Sequence, residues 1–508
     1  MPTNNHFLNI LRKNKLYFIG IALSALFFLI NIMTLNWYPL PWVDEVLFSD
    51  TPINVVLTGK WFSTAWRYTY SPLHAFLLIP WIWCFGISHT AVTSLNIVIA
   101  FLLCILMLQS LINAKIIKSI WSLIIFLSMF WGASTISWIF RMGRPDVLAM
   151  LFSFLVVVEI LNIIQFNKKK YIRLFLFSLL LFTSSISSLP FILFLLLVLF
   201  ISQTQYRNIL LQQAMTFATA CLFGFFLISA FYWFHDCLLI YLARFITSSA
   251  TITGENPFLT RIIDAYQINK EALTLSIVNI FVITLFIYKK RFAFKSINVI
   301  FLFSCLLIPL IMTLAGRFPV YYSWLFFLPT LVLTISLFDD APYYIKILIS
   351  LITTFIFISG LPYSLSKADK FNIARINHFI SNQPITSNSI VISDYIPYYA
   401  IKNITNKCYF PVIVSTAFLV GKQDSTITAY RDYGKLNSLY KLVSRQIQLE
   451  RKTIIVNKID FIIITPNDHG TDRTEPLKNI MKKQQSLGKT IAAIDSLNNP
   501  KIIIYQVK

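Results

Sequence analysis

Runs of about 20 consecutive, mostly apolar residues recur along the chain, and nothing else restricts its folding as tightly. A helix crossing the hydrocarbon of a bilayer needs a run of that length, because there each backbone polar group must be satisfied within the segment. The candidates are residues 16–35, 90–112, 120–140, 146–166, 171–188, 190–203, 211–233, 272–288, 297–315, 321–338 and 345–361. A soluble enzyme or a disordered chain is excluded, since only 13% of the 508 residues are charged against about 25% in soluble domains. Six Cys without a Cys-x-x-Cys pair indicate neither a disulfide framework nor a zinc site. The chain reads as a polytopic α-helical membrane protein.

Charge orients the spans. The first run follows Arg12, Lys13 and Lys15 and has no small-residue cleavage site, so it is expected to stay as an anchor with the N-terminus in the cytoplasm. The stretch 72–87 is apolar but short and holds Pro72 and Pro80, as suits an interfacial or re-entrant hairpin. If it does not cross, 15 basic residues share the cytoplasmic side, among them Lys115, Lys118, Lys168 to Lys170, Arg173, Arg207, Lys289, Lys290, Arg291 and Lys346. The positive-inside rule favours that arrangement. It gives about 11 transmembrane helices, residues 1–361, with 36–89 as a first outer loop containing interfacial helices. Residues 362–508 then form an extracytoplasmic α/β domain. Its short apolar runs at 388–394, 408–414, 460–466, 490–495 and 501–507 predict strands, and 436–451 has helical spacing.

The net charge of +22 divides between these parts, 23 basic against 11 acidic residues up to 361 and 20 against 10 beyond. The first share is chiefly a topology signal, and the second favours an anionic lipid surface or acceptor. Neither calls for nucleic acid.

The outer loops hold the candidate chemistry. The first carries Asp44 and Glu45 beside Pro41 and Trp42, then Asp50, Lys60, Trp61, Trp66, Arg67 and Tyr70. Adjacent carboxylates just past a span are either an ordinary solvated pair or a general base at the membrane surface. The segment Arg141-Met142-Gly143-Arg144-Pro145-Asp146 falls on the same outer face. A guanidinium binds phosphate through two parallel hydrogen bonds, so these Arg suit an anionic headgroup. Arg141 is equally placed to snorkel from a helix end, while Asp146 is placed to hold Arg144.

In their order and spacing these segments resemble the GT-C membrane glycosyltransferases, in the protein-mannosyltransferase-like branch that includes the lipid A aminoarabinose transferases. In that family Asp-Glu follows span one, a His-Pro-Pro-Leu-Tyr segment precedes a hydrophobic hairpin ending in Phe-Gly, and Arg-Pro-Asp or Arg-Pro-Tyr opens span four. Here the counterparts are Asp44-Glu45, Tyr70-Ser71-Pro72-Leu73-His74 with Phe85-Gly86, and Arg144-Pro145-Asp146. The likeness covers about residues 10–200, and more loosely Gly316-Arg317-Phe318-Pro319-Val320-Tyr321-Tyr322 and the C-terminal domain.

The resemblance implies a transferase that takes a sugar from a polyprenyl-phosphate carrier and passes it, with inversion, to a lipid, glycan or protein acceptor on the outer face. Asp44 would be the base, with Glu45 its orienting neighbour or alternate. Arg144, held by Asp146, would meet the lipid phosphate. Lys60, Arg67, Arg244, Arg261 and Arg317 rank below it, with Tyr70 and His74 as further contacts. His74 either replaces the family His or caps an interfacial helix. Some relatives use a divalent metal, but the six His show no ligand spacing, so neither a metal nor another cofactor is predicted.

A second class, a lipid or glycan transporter or flippase, shares the composition. Transporters tend to show paired repeats and polar residues at mid-membrane, and here acids and Arg gather at one interface. A non-catalytic role in a cell-envelope assembly is a third reading. Glu159 lies in an apolar span, where a charge is a functional candidate unless it falls at the cytoplasmic edge. Asp339 and Asp340 are expected in a cytoplasmic loop, and the long outer loop 234–271 is expected to cover the site. Richness in Lys, Asn and Ile points to a bacterial inner membrane.

Overall fold

A computed structural model of the protein describes residues 3–41, 43–61, 72–166, 171–238, 241–242, 263, 269–288, 307, 322–366, 373–409, 459–465, 482, 487–494 and 502–507. The described part of the first half is built of helices: α1 (Thr3–Met33), α2 (Val43–Thr58), α3 (Pro72–Phe85), α4 (His89–Asn113), α5 (Ile120–Gly132), α6 (Ser134–Phe140), α7 (Asp146–Phe166), α8 (Tyr171–Ser184), α9 (Leu189–Ser202) and α10 (Arg207–Phe234). Then come α11 (Lys270–Tyr288), α12 (Trp324–Phe338), α13 (Tyr343–Ser359), α14 (Leu361–Ser366), α15 (Ile373–Ser381) and α16 (Tyr398–Ile404). The strands are β1 (Val391–Ser393), β2 (Cys408–Tyr409), β3 (Phe461–Ile464), β4 (Leu487–Ile494) and β5 (Ile502–Val507).

Among the described residues, five helical stretches are long and apolar enough to cross a membrane: Lys15–Met33, His89–Asn113, Asp146–Ile164, Thr204–Phe234 and Tyr343–Ser366. A sixth crossing results if α5 and α6, bent by 59°, count as one broken span. Helices α3, α8 and α9 have 14 residues each and rise about 21 Å, short of the roughly 30 Å hydrocarbon core. The expected spans over 171–188, 190–203 and 321–338 are short apolar helices here, and most of 297–315 lies outside the described residues. Leu222, Phe223 and Phe226 of α10 and Leu351, Phe355 and Ile358 of α13 stand exposed. Continuous apolar faces of this kind fit hydrocarbon rather than water, an architecture consistent with a membrane protein.

The long helix α4 serves as a ruler, its 25 residues rising about 37 Å. Just past its far end, Lys118 pairs with Asp340 at 2.7 Å and Ser119, the N-cap of α5, donates to Asp339 at 2.5 Å. At its near end Gly86, at φ +82°, closes α3 in the left-handed region that glycine tolerates, and Ser88 caps α4 by accepting from Ala91 N–H at 3.0 Å. Helix α3 keeps to this near end: Trp81 donates to Ser94 at 3.0 Å, and His74 sits against Asn96.

The sheet has strand order β2-β1-β3-β5-β4. Strand β1 pairs in parallel with β2 and β3, and β5 runs antiparallel to β3 and β4. Side chains alternate with the period of two that strands impose: Val391, Phe461, Ile463, Ile502 and Ile504 join the main core, and Ile392, Ile462 and Ile464 pack on the opposite face. Four of the five expected apolar strands recur within two or three residues of their expected bounds. In the run 408–414 only 408–409 is described, as β2, and 436–451 is outside the described residues. The sheet and helices α15 and α16 attach to the near end of the bundle, where Ile373 N–H donates to Asn36 at 3.1 Å and Asn403 donates to Ile87 at 2.5 Å.

Candidate functional site

Three pieces of chain meet at the near end of α4: the start of α2, the turn 141–146 and α16. The turn is shaped by its surroundings before it offers any chemistry. Arg141 is fully buried, and its guanidinium donates to the Tyr38 carbonyl at 2.8 Å, to Asn31 Oδ1 at 3.0 Å and to the Thr34 carbonyl at 2.5 Å. It therefore ties down carbonyls of the turn that follows α1, at a helix C-terminal end where a cation also complements the helix dipole. Arg141 joins α1 to α6 and does not snorkel toward water. Asn96, buried in α4, donates to the carbonyls of Met142 and Arg144, the latter at 2.6 Å. Gly143 is forced by space: a Cβ there would collide with Val92 and lie 2.7 Å from Glu45 Cγ.

Helix α2 opens on Asp44 and Glu45, whose carboxylates suit the first turn of a helix but meet different fates. Glu45 is fully buried and accepts from three donors. His89 Nδ1 lies 2.6 Å and the Tyr399 hydroxyl 2.9 Å from Oε1, while Gly143 N–H donates to Oε2 at 3.2 Å. Asp44 keeps 31% of its side chain exposed and accepts from Arg144 Nη1. Arg144 also donates from Nε to buried Asp146 Oδ2 at 2.8 Å and lies 5.0 Å from the centroid of the Phe48 ring. The guanidinium is thus held from behind by Asp146 and an aromatic face, with its outer edge on the half-exposed Asp44.

Of the expected site residues, the structure brings together Asp44, Glu45, Arg144 and Asp146, with His74 buried beside Asn96 and in reach of the Arg144 charge. Lys60 is not among them. It follows the far end of α2, exposed and about 24 Å along the helix from Asp44. Arg67, Tyr70, Arg244, Arg261, Arg317 and most of the loop 234–271 lie outside the described residues. Glu159 faces Arg173 at 3.9 Å toward the other end of α7. Asp339 and Asp340 meet Lys118 and Ser119 at the far end of α4, in line with their expected loop position.

The site also contains residues the sequence reading passed over. Asn96 had a local signal, an amide inside an apolar run. His89 opens that run, and Tyr399 belongs to a segment 354 residues from its partner, with no motif to mark it. Among the described residues no group of three or more His, Cys, Asp or Glu converges as a metal site would require. Compared with protein-family models, with curated proteins and with solved structures, the chain matches none.

Proposed function

We propose that the protein is an integral-membrane glycosyltransferase that moves a sugar from a polyprenyl-phosphate carrier to a lipid, glycan or protein acceptor, with inversion. The observation that carries this reading is the half-exposed Asp44 side by side with a clamped Arg144 at one end of the bundle. The acceptor hydroxyl gives its proton to Asp44 as its oxygen bonds to the anomeric carbon. The bond from that carbon to the phosphate oxygen breaks, and its electron pair leaves with the polyprenyl phosphate, whose charge Arg144 meets. A phosphate competes for the outer edge of Arg144, freeing Asp44 to act as base, while Asp146 keeps the guanidinium in place. Glu45, saturated by three donors, orients the turn.

The topology belongs to the same proposal: about eleven spans, the N-terminus in the cytoplasm, and the C-terminal α/β unit on the outer face of a bacterial inner membrane. In support, the acid–Arg cluster and the Lys118–Asp340 cluster sit at opposite ends of α4. One observation favours the transporter or flippase reading: α5 and α6 form a discontinuous helix of the kind that lines transport paths.

The test is transfer of radiolabelled sugar from polyprenyl-phosphate donors by purified protein, wild type against Asp44→Ala. The proposal expects turnover that the substitution removes. Full activity in the variant would overturn Asp44 as base, and no turnover with any lipid donor would favour transport.

A further inference from the structure

Between α2 and α16 runs a strip of buried polar contacts. On α2, Glu45, Ser49, Asp50 and Asn54 lie at helical spacing, and opposite them stand Tyr398, Tyr399 and Lys402 of α16, all buried. The contacts fall into two sets with different reach. In one, Tyr398 donates to Asp50, Asn54 donates to Asp50 Oδ2 at 2.9 Å, and Lys402 Nζ donates to Asn54 Oδ1 at 3.0 Å and lies 3.8 Å from Asp50. A lysine buried so completely is tolerated because a carboxylate and an amide meet it. This set is a latch, and none of its side chains belongs to the turn that carries Arg144.

The other set leads into that turn. The Tyr399 hydroxyl donates to Glu45 Oε1 at 2.9 Å, and the second oxygen of Glu45 accepts from Gly143 N–H, one residue before Arg144. His89 holds the same Oε1 from the opposite element at 2.6 Å. Tyr399 therefore reaches the backbone presenting the guanidinium through a single carboxylate. Resting on the lipid-phosphate reading of Arg144, we infer that Tyr399 is a positioning residue for that site, so that the C-terminal α/β unit completes the phosphate site by fixing Glu45 and, through it, the Arg144 turn. Without the phenol Glu45 has two donors in place of three, and its grip on Gly143 N–H relaxes. The guanidinium then loses its register against Asp146 and the incoming phosphate.

The experiment titrates full-length, detergent-purified protein with polyprenyl phosphate of mixed chain length and reads binding by tryptophan fluorescence. It compares wild type, Arg144→Ala, Tyr399→Phe and Tyr398→Phe, and records the melting temperature of each. Tyr399→Phe is expected to weaken binding about tenfold, equivalent to about 1.4 kcal/mol, with Arg144→Ala weaker still. Tyr398→Phe loses a hydrogen bond of the same interface and is expected to melt lower yet bind as wild type does. Equal weakening in both tyrosine variants would mean general loosening and would overturn the positioning role. Wild-type affinity in Tyr399→Phe, with binding lost in Arg144→Ala, would overturn it too while leaving the phosphate reading intact. No binding by wild type would remove the phosphate reading, and this inference with it.

Discussion

Asp44 and Glu45 are neighbours in the chain with opposite situations, one half-exposed on a single arginine and the other sealed under three donors. Substitutions should separate them. Asp44→Asn is expected to lower sugar transfer by about 10²–10⁴-fold, the usual contribution of a general base, with little change in melting temperature because Arg144 keeps Asp146. Gly143→Ala is expected to fail differently, since its Cβ would push Val92 and Glu45 apart. Overpacking of this kind costs about 1–3 kcal/mol and would show as a lower melting temperature together with lost activity. The meeting of Asp44 and Asp146 with Arg144 was legible because opposite charges gather in two short segments expected at the same end of the bundle. His89 and Tyr399 were not, because what selects them is a shared carboxylate, and the pairing runs over 44 and 354 residues. The same holds for Arg141, whose residue type suggested snorkelling but whose partners are carbonyls of the turn after α1.

At the level of elements, the apolar run 120–140 reads as one span, but the helix breaks at Ala133, whose ψ of 134° leaves the helical region. Periodicity cannot register such a break, and the small residues Gly132-Ala133-Ser134 are its only local sign. Two devices hold it. Glu271, at the start of α11, accepts from Ser134 N–H at 2.6 Å and Thr135 N–H at 3.2 Å, supplying acceptors for donors that a helix start leaves open. Gly132 and Gly360 let the break pack against the end of α13, and a Cβ on Gly360 would run into the Gly132 carbonyl. Glu271→Ala is therefore expected to destabilise the protein by about 1–3 kcal/mol per orphaned donor, with Glu271→Gln milder. Thermal denaturation in detergent measures both. Gly360→Ala meets backbone rather than a flexible side chain, so a marked loss of folded yield is expected in the same assay. The strands were easier to read than the broken span, because a short continuous apolar run such as 461–464 is itself the local signal of a strand buried on both faces.

For the whole molecule the proposed topology is tested by labelling. In a variant whose native cysteines are replaced by Ser, Asn382→Cys on the exposed end of α15 should react with an impermeant maleimide from outside, and Lys169→Cys only after permeabilisation. Ready outside labelling at 169 would overturn the arrangement. The contact of the C-terminal unit with α2 carries a pH signature. Burial, with Asp50 beside Tyr398 and Glu45 beside Tyr399, holds both phenols well above their ordinary value of 10.0. The folded protein keeps these protons where the unfolded chain releases them. The contribution of the two tyrosines is whole below a pH of about 10 and is lost as pH climbs beyond it. Phenolate absorbance should show two tyrosines titrating late, and melting temperature should fall over the same range. The bond between Glu45 and Tyr399 also sets a clock. At a synthesis rate of about 5–20 residues per second, the phenol leaves the ribosome about 20–70 s after the carboxylate it will meet. Throughout that interval the nascent chain carries the acid pair without its last donor, so maturation of the site waits on synthesis of α16 rather than on insertion of the first helices.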